Sequence, residues 1–205
     1  MRPARNGTPV VSPLVRRLAG VVSFLGHPLV TTLAFVGVLA KGQLAGAAAI
    51  WAIGSVLLVV GTISLWNYRR TRIGAYSNFD VSQREQRNSF YPVLLVSMGM
   101  VTAGLFWQQQ AGLFRYGMLA AWLLLLLCYG LNFWLKVSLH AALSFFLAVI
   151  VLHLYHGWWG LVMMAVALLV AVSRLVLGRH SVRELAVGAA VGVTAAGGLI
   201  TFFLF

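Results

Sequence analysis

Acid is nearly absent from this chain. Three carboxylates, Asp80, Glu85 and Glu184, stand against fifteen lysines and arginines, for a net charge of +12. A single aspartate cannot build the paired Asp-rich motifs that hold a magnesium diphosphate, which excludes a polyprenyl transferase. Cysteine is equally scarce. Cys128 sits alone in "LLLLLCYG", so disulfides and thiolate metal sites are excluded and the thiol reads as an apolar filler. Charge of either sign is low, 9% of residues against about 25% in soluble domains. That excludes a water-soluble globule.

What the chain has instead is hydrophobic length, with 61% of its residues apolar. Seven apolar runs, near 18–40, 44–66, 91–107, 116–135, 139–156, 158–173 and 185–205, approach or reach the roughly 17–25 residues that a membrane-crossing helix needs. The composition predicts an all-α polytopic transmembrane bundle of six or seven spans, one integral membrane domain over residues 1–205. The first run is interrupted by "GHP" at 26–28. Pro28 removes a backbone donor and disfavours helix at His27, so this span is expected to kink or insert only partly, with His27 as a kink residue. The basic start followed by apolar residues resembles a signal peptide, but it lacks a small-x-small cleavage site and is expected to be retained.

In a soluble protein so basic a balance suggests nucleic acid. Here the reading is arginine beside the membrane facing anionic lipid, and no nucleic-acid partner is expected. The polar residues concentrate in three connections, 67–92, 136–140 and 173–184. Two spans separate each from the next, and an even number of crossings returns the chain to its starting side. All three should therefore face the same water. Every lysine and arginine except Lys41 and Arg115 falls on that side, and the positive-inside rule makes it cytoplasmic in a multi-pass cell-membrane protein.

All three carboxylates also lie in these connections, which read "NFDVSQREQRNSFYP" (78–92), "KVSLH" (136–140) and "SRLVLGRHSVRE" (173–184). If the last helix starts near 180, His180 and Glu184 share one face. Glu184 then accepts a hydrogen bond from one ring nitrogen of His180 and leaves the other free, the arrangement of an activated nucleophile. The guanidinium of Arg174 offers a planar fork for phosphate oxygens. His140, two residues after Ser138, is a second group for proton transfer. Arg84, Arg87, Arg179, Lys136 and the Ser173 hydroxyl complete a set that suits phosphoryl transfer, where charge stabilisation dominates. The few carboxylates form no acidic metal-binding cluster. Asp80 and Glu85 are expected to pair with Arg84 and Arg87 and order their loop. His153 and His156, with Tyr155, Trp158 and Trp159, read as an interfacial aromatic belt at the far end. Haem held through His140 and His153 is disfavoured, because a facing span supplies no matched histidines.

"SRLVLGRHSVRE" resembles the third motif of the type 2 phosphatidate phosphatase superfamily, S-R-x(5)-H-x(3)-D, at Ser173, Arg174 and His180, with Glu184 in place of Asp. "VSLH" resembles a degenerate P-S-G-H that keeps Ser138 and His140 and carries Val137 and Leu139 in place of Pro and Gly. "REQRNSFYP" resembles K-x(6)-R-P, with Arg84 for Lys, Tyr91 for Arg and Pro92 kept. A prokaryotic branch with R-x-x-R, K-[IV]-S-x-H and a non-Asp last position is the nearest likeness, and "SFLGHPL" near the start fits it. The resemblance covers roughly residues 67–205, with 18–66 as added N-terminal helices. It implies a metal-independent lipid phosphatase with no cofactor, in which guanidinium charge takes the place of a metal. His180 would form a phosphohistidine, His140 would protonate the leaving lipid oxygen and then activate water, and Glu184 would orient His180. Arg84, Ser138, Arg174 and Lys136 would hold phosphate oxygens, with Arg87 or Lys136 standing in for the charge that Tyr91 lacks. Membrane lipids are the expected partners and a lipid phosphate or isoprenyl (pyro)phosphate the expected substrate. An inactive lipid-phosphate-binding or structural relative of the same fold is the alternative.

Overall fold

The structure is a computed structural model and describes residues 12–44, 46–155 and 157–203; Arg2, Arg5 and His156 lie outside them. The described residues form eight helices and no strand. They are α1 (Pro13–Leu25), α2 (Pro28–Gln43), α3 (Gly46–Arg72), α4 (Arg87–Trp107), α5 (Gly112–Asn132), α6 (Leu139–Tyr155), α7 (Trp158–Val176) and α8 (Val182–Phe203). Five of these, α3, α4, α5, α7 and α8, are each long and apolar enough to cross a membrane. α1 and α2 reach that length only together, as a pair bent by 50° at the break between them. The protein is an all-helical, multi-pass membrane bundle.

The bend falls where the sequence places it. Pro28 opens α2, a position whose N–H has no helical partner in any case. His27 caps the same helix, its Nδ1 accepting the Leu29 N–H at 3.2 Å. Gly26 lies against α7, where a Cβ would stand 2.2 Å from a Val170 methyl. A helix start and a tight crossing thus share three residues. α4 begins at Arg87, a turn before the apolar run suggests, because hydropathy does not register its polar first turn.

α6, with 17 residues, is the shortest of the apolar helices after the broken pair. At 1.5 Å per residue it is about 26 Å long, a little less than a hydrocarbon core of about 30 Å. It lies inside the bundle, packed against α2, α5, α7 and α8. Its approach to α8 is closest, because Gly188 and Gly192 leave room for its backbone. A Cβ at Gly188 would lie 2.7 Å from the Ser138 carbonyl, and one at Gly192 would lie 2.1 Å from the Ala142 carbonyl. The small-residue run "AVGAAVG" therefore brings two main chains together, a common device in membranes.

The three polar connections meet at one end of the bundle, as crossing parity requires. Arg84 donates to the carbonyls of Phe133 and Trp134. Arg87 Nη1 donates to the Val137 carbonyl at 2.6 Å, and Lys136 Nζ to the Arg179 carbonyl at 2.7 Å. The Ser138 N–H reaches the Glu184 carbonyl at 3.3 Å. Trp158 and Trp159 lie exposed at the opposite end.

Candidate functional site

His180 and Glu184 meet as their spacing suggests, with His180 Nδ1 2.7 Å from Glu184 Oε2. The extra methylene of Glu relative to Asp has a local use. Ser181 caps α8, accepting the Glu184 N–H at 3.3 Å, while Glu184 Oε2 accepts the Ser181 N–H at 3.2 Å. This is a reciprocal capping box, and S-V-R-E is its sequence signature. One carboxylate thus starts the helix and fixes the imidazole. With Nδ1–H donating to Glu184, the lone pair of a neutral His180 resides on Nε2. Burial and the charges of Arg87, Lys136, Arg174 and Arg179 push the His180 pKa down from 6.5 to about 2, so the ring stays neutral.

Arg174 is the largest wholly buried side chain, 1% exposed. Its Nη1 is held twice, donating to Ser23 Oγ at 2.7 Å and to Asp80 Oδ2 at 3.0 Å. Its Nε is buried and has no partner among the described residues. A buried guanidinium braced on one side with an unsatisfied donor on the other is costly unless an acceptor arrives. The free edge, Nε with Nη2, is the geometry that binds two phosphate oxygens. The charge of Arg174 acts on both His140 and His180, so both imidazoles lie within its electrostatic reach.

Asp80 ties this region together. Its Oδ2 accepts from Arg174 and from Arg179, and its Oδ1 lies 3.4 Å from His27 Nε2. Burial opposes its ionisation, yet contacts with His27 and Arg174 outweigh burial and hold the carboxyl well below the ordinary carboxylate range. His27 in turn stands edge-on to His140, ring centroids 5.0 Å apart. The next residue, Val81, is buried at φ +48°. A β-branched residue in the left-handed region costs of order 1–3 kcal/mol and persists only where its surroundings enforce it. Here Arg87 Nε grips the Val81 carbonyl at 3.1 Å, and Asn67 Nδ2 the Phe79 carbonyl at 3.1 Å.

One expectation needs correction, and the other expected site residues take the places described with it. Asp80 pairs with Arg174, Arg179 and His27 rather than with Arg84 or Arg87, and Glu85 remains exposed. Arg84 is exposed and spends its guanidinium on the carbonyls that end α5, away from Arg174. Arg87 is central, but as a clamp between the loops that carry Val81 and Val137. Lys136 lies beside the site, bonded to the Arg179 carbonyl, with its pKa lowered by burial. Ser138 is wholly buried and its Oγ accepts the Ala141 N–H; Ser173 Oγ donates to the Val170 carbonyl. Both hydroxyls serve backbone. Ser23 and His27 were missed as site residues, although both lie in the "SFLGHPL" stretch, the one sequence signal that could have found them.

One grouping has metal-ligand character among the described residues: His27, Asp80 and His140, whose donor atoms lie within 4.8 Å of one another. Two of the three members are already committed, while His140 Nε2 is buried with no partner among the described residues. His27 Nδ1 accepts from the backbone, so its proton stands on Nε2 and no lone pair faces Asp80. Asp80 Oδ2 takes two guanidiniums, whose charge would also repel a cation. The grouping suits hydrogen bonding better than cation binding. Beyond it, a largely apolar cavity between α2 and α6 runs from Asp80, Arg87 and His140 to Leu113 and Leu154. From His140 to Leu154 is about 21 Å of helix. Comparison with family models, curated proteins and solved structures finds no match to this chain.

Proposed function

We propose that the protein is an integral membrane lipid phosphatase that works through a phosphohistidine without a metal. The observation that carries this reading is the open edge of Arg174, buried and braced, whose charge acts on a neutral imidazole with its Nδ1 tied to a carboxylate. A phosphate dianion would satisfy the orphaned Nε, and guanidinium charge would stabilise the transferring group. His180 Nε2 attacks phosphorus, the bond to the lipid oxygen breaks, and His140, entering the step as imidazolium beside the bound dianion, gives that oxygen its proton and is left neutral. Water, deprotonated by His140, then attacks the phosphohistidine, the N–P bond breaks and inorganic phosphate leaves. The tail lies in the apolar cavity, and the headgroup stays at the loop level, where charge is tolerated. Lipid phosphates and isoprenyl (pyro)phosphates share this chemistry. The basic face that carries the site lies in the cytoplasm.

A second reading has its own support. Arg84 and Ser173 spend donors on backbone carbonyls, which leaves fewer phosphate donors than the motif resemblance implies. A lipid-phosphate-binding relative without turnover fits that depletion. The deciding experiment is phosphate release from short-chain lipid phosphates by purified protein in EDTA. Activity abolished by His180→Ala supports the phosphatase. Phosphate binding with no release, in the wild type, supports the binder.

A further inference from the structure

The broken first span is more than an anchor. Ser23 lies in the last turn of α1 and His27 caps α2; Ser23 bonds Arg174, 151 residues later, and His27 contacts the Asp80 that holds the same arginine. Ser23 accepts from Arg174 Nη1 directly, and His27 acts on the same nitrogen through Asp80. The proline break makes this possible. It turns residue 27 into an N-cap whose Nδ1 is occupied by the Leu29 N–H, and so fixes the remaining proton on Nε2, toward Asp80. Asp80 is itself aimed by the left-handed Val81 and by the grip of Arg87 on the Val81 carbonyl.

We propose that Ser23, His27 and Asp80 are positioning residues, a brace that fixes the guanidinium of Arg174 so that its Nε–Nη2 edge faces the phosphate. The inference rests on the phosphate site proposed above. Two acceptors on one nitrogen define the plane of the guanidinium, whereas one would leave it free to turn. The carboxylate also offsets the mutual repulsion of Arg174 and Arg179, both bonded to Asp80 Oδ2. The brace touches Arg174 at the nitrogen that the substrate does not use.

Coupling between the brace and Arg174 tests this. Ser23→Ala, Asp80→Asn and His27→Phe are each made in the wild type and in Arg174→Lys, which keeps the charge and loses the fork. The readouts are kcat and KM on a short-chain lipid phosphate, and the affinity for inorganic phosphate by calorimetric titration of the full chain. Ser23→Ala changes no charge and is the mildest variant. It should lower kcat by about 3- to 10-fold, the range of one net hydrogen bond. In the Arg174→Lys background the same change should cost under about 2-fold, because partners that act through one group are not additive.

Asp80→Asn separates orientation from bulk charge. Removing a negative charge beside an anion site strengthens phosphate binding on Coulomb grounds alone. If Asp80 positions the fork, kcat falls while phosphate affinity holds or rises, and Asp80→Glu restores part of kcat. If Asp80 is only a counter-ion, affinity rises and kcat stays, which overturns the proposal. So does equal loss from Ser23→Ala in both backgrounds. A wild-type chain that binds phosphate without turnover still permits the Ser23 and Arg174 cycle to be read on affinity. A chain that binds no phosphate removes the site itself, and the brace with it.

Discussion

Gly192 is the position where one added methyl does the most geometric damage. Its Cβ would stand 2.1 Å from the Ala142 carbonyl oxygen, where ordinary contact begins at 3.4 Å. The Ala142 carbonyl carbon and Phe146 nitrogen would each lie 3.0 Å away, so the obstruction is main chain and has no rotamer to change. For Gly192→Ala, α8 must withdraw from α6 by about 1 Å, and overpacking of this kind costs about 1–3 kcal/mol. Alanine's helical preference over glycine, up to about 1 kcal/mol, offsets part of it. The matched control is Gly197→Ala on the same helix, where nothing lies within 4 Å. The withdrawal also carries functional weight, since Glu184 at the start of α8 orients His180 and its carbonyl receives the Ser138 N–H. A misplacement of about 1 Å in a catalytic constellation can cost on the order of 100-fold in rate. Thermal unfolding in detergent should rank Gly197→Ala at or above wild type and Gly192→Ala below it, with phosphate release following the same order. If the two variants unfold together, the account of close α6–α8 packing is wrong.

Other expectations can be checked in parallel. Glu184→Gln should lower kcat by about 100-fold through loss of the His180 anchor, with KM little changed; an equal loss from Ser181→Ala would mean that the capping box, not the His180 contact, is what matters. Arg174→Lys should weaken inorganic phosphate binding by about 10-fold, the worth of a charge-assisted hydrogen bond, read by titration calorimetry. His180 stays neutral in the fold down to about 2, whereas the unfolded chain protonates it near 6.5. The unfolded state therefore binds more protons across that window, and stability should fall as pH falls through it. His180→Gln should flatten this slope in denaturation series, and unchanged slopes would assign the loss elsewhere. A cysteine introduced at Asn78 should react with an impermeant maleimide only after cells are opened, since Cys128 is wholly buried and adds little background; labelling of intact cells would place the site outside.

Much of the architecture was legible because it depends on composition and order. Long apolar runs with so few charges leave helices as the only backbone that satisfies itself in lipid, and crossing parity then puts the loops after α3, α5 and α7 at one end. The His180–Glu184 pair was legible too, because both residues sit in one helical turn and local spacing fixes their contact. The bend at His27 followed from Pro28 for the same reason.

Partner choice between distant segments was decided only in three dimensions. Asp80 has several arginines near it in sequence, yet it bonds Arg174 and Arg179, because a strained turn at Val81 and the grip of Arg87 turn it inward. Ser23 meets Arg174 only because α1 lies along α7, a contact set by side-chain packing across the bundle. Arg84 and Ser138, in motif-like positions, went to backbone groups left open at helix ends. The sequence by itself determined which segments are helices, where the first one breaks and that the polar loops share one end of the bundle. Tertiary structure alone decided which charges pair, because a buried ionic contact is selected by the geometry that desolvates both partners, and no local pattern encodes that.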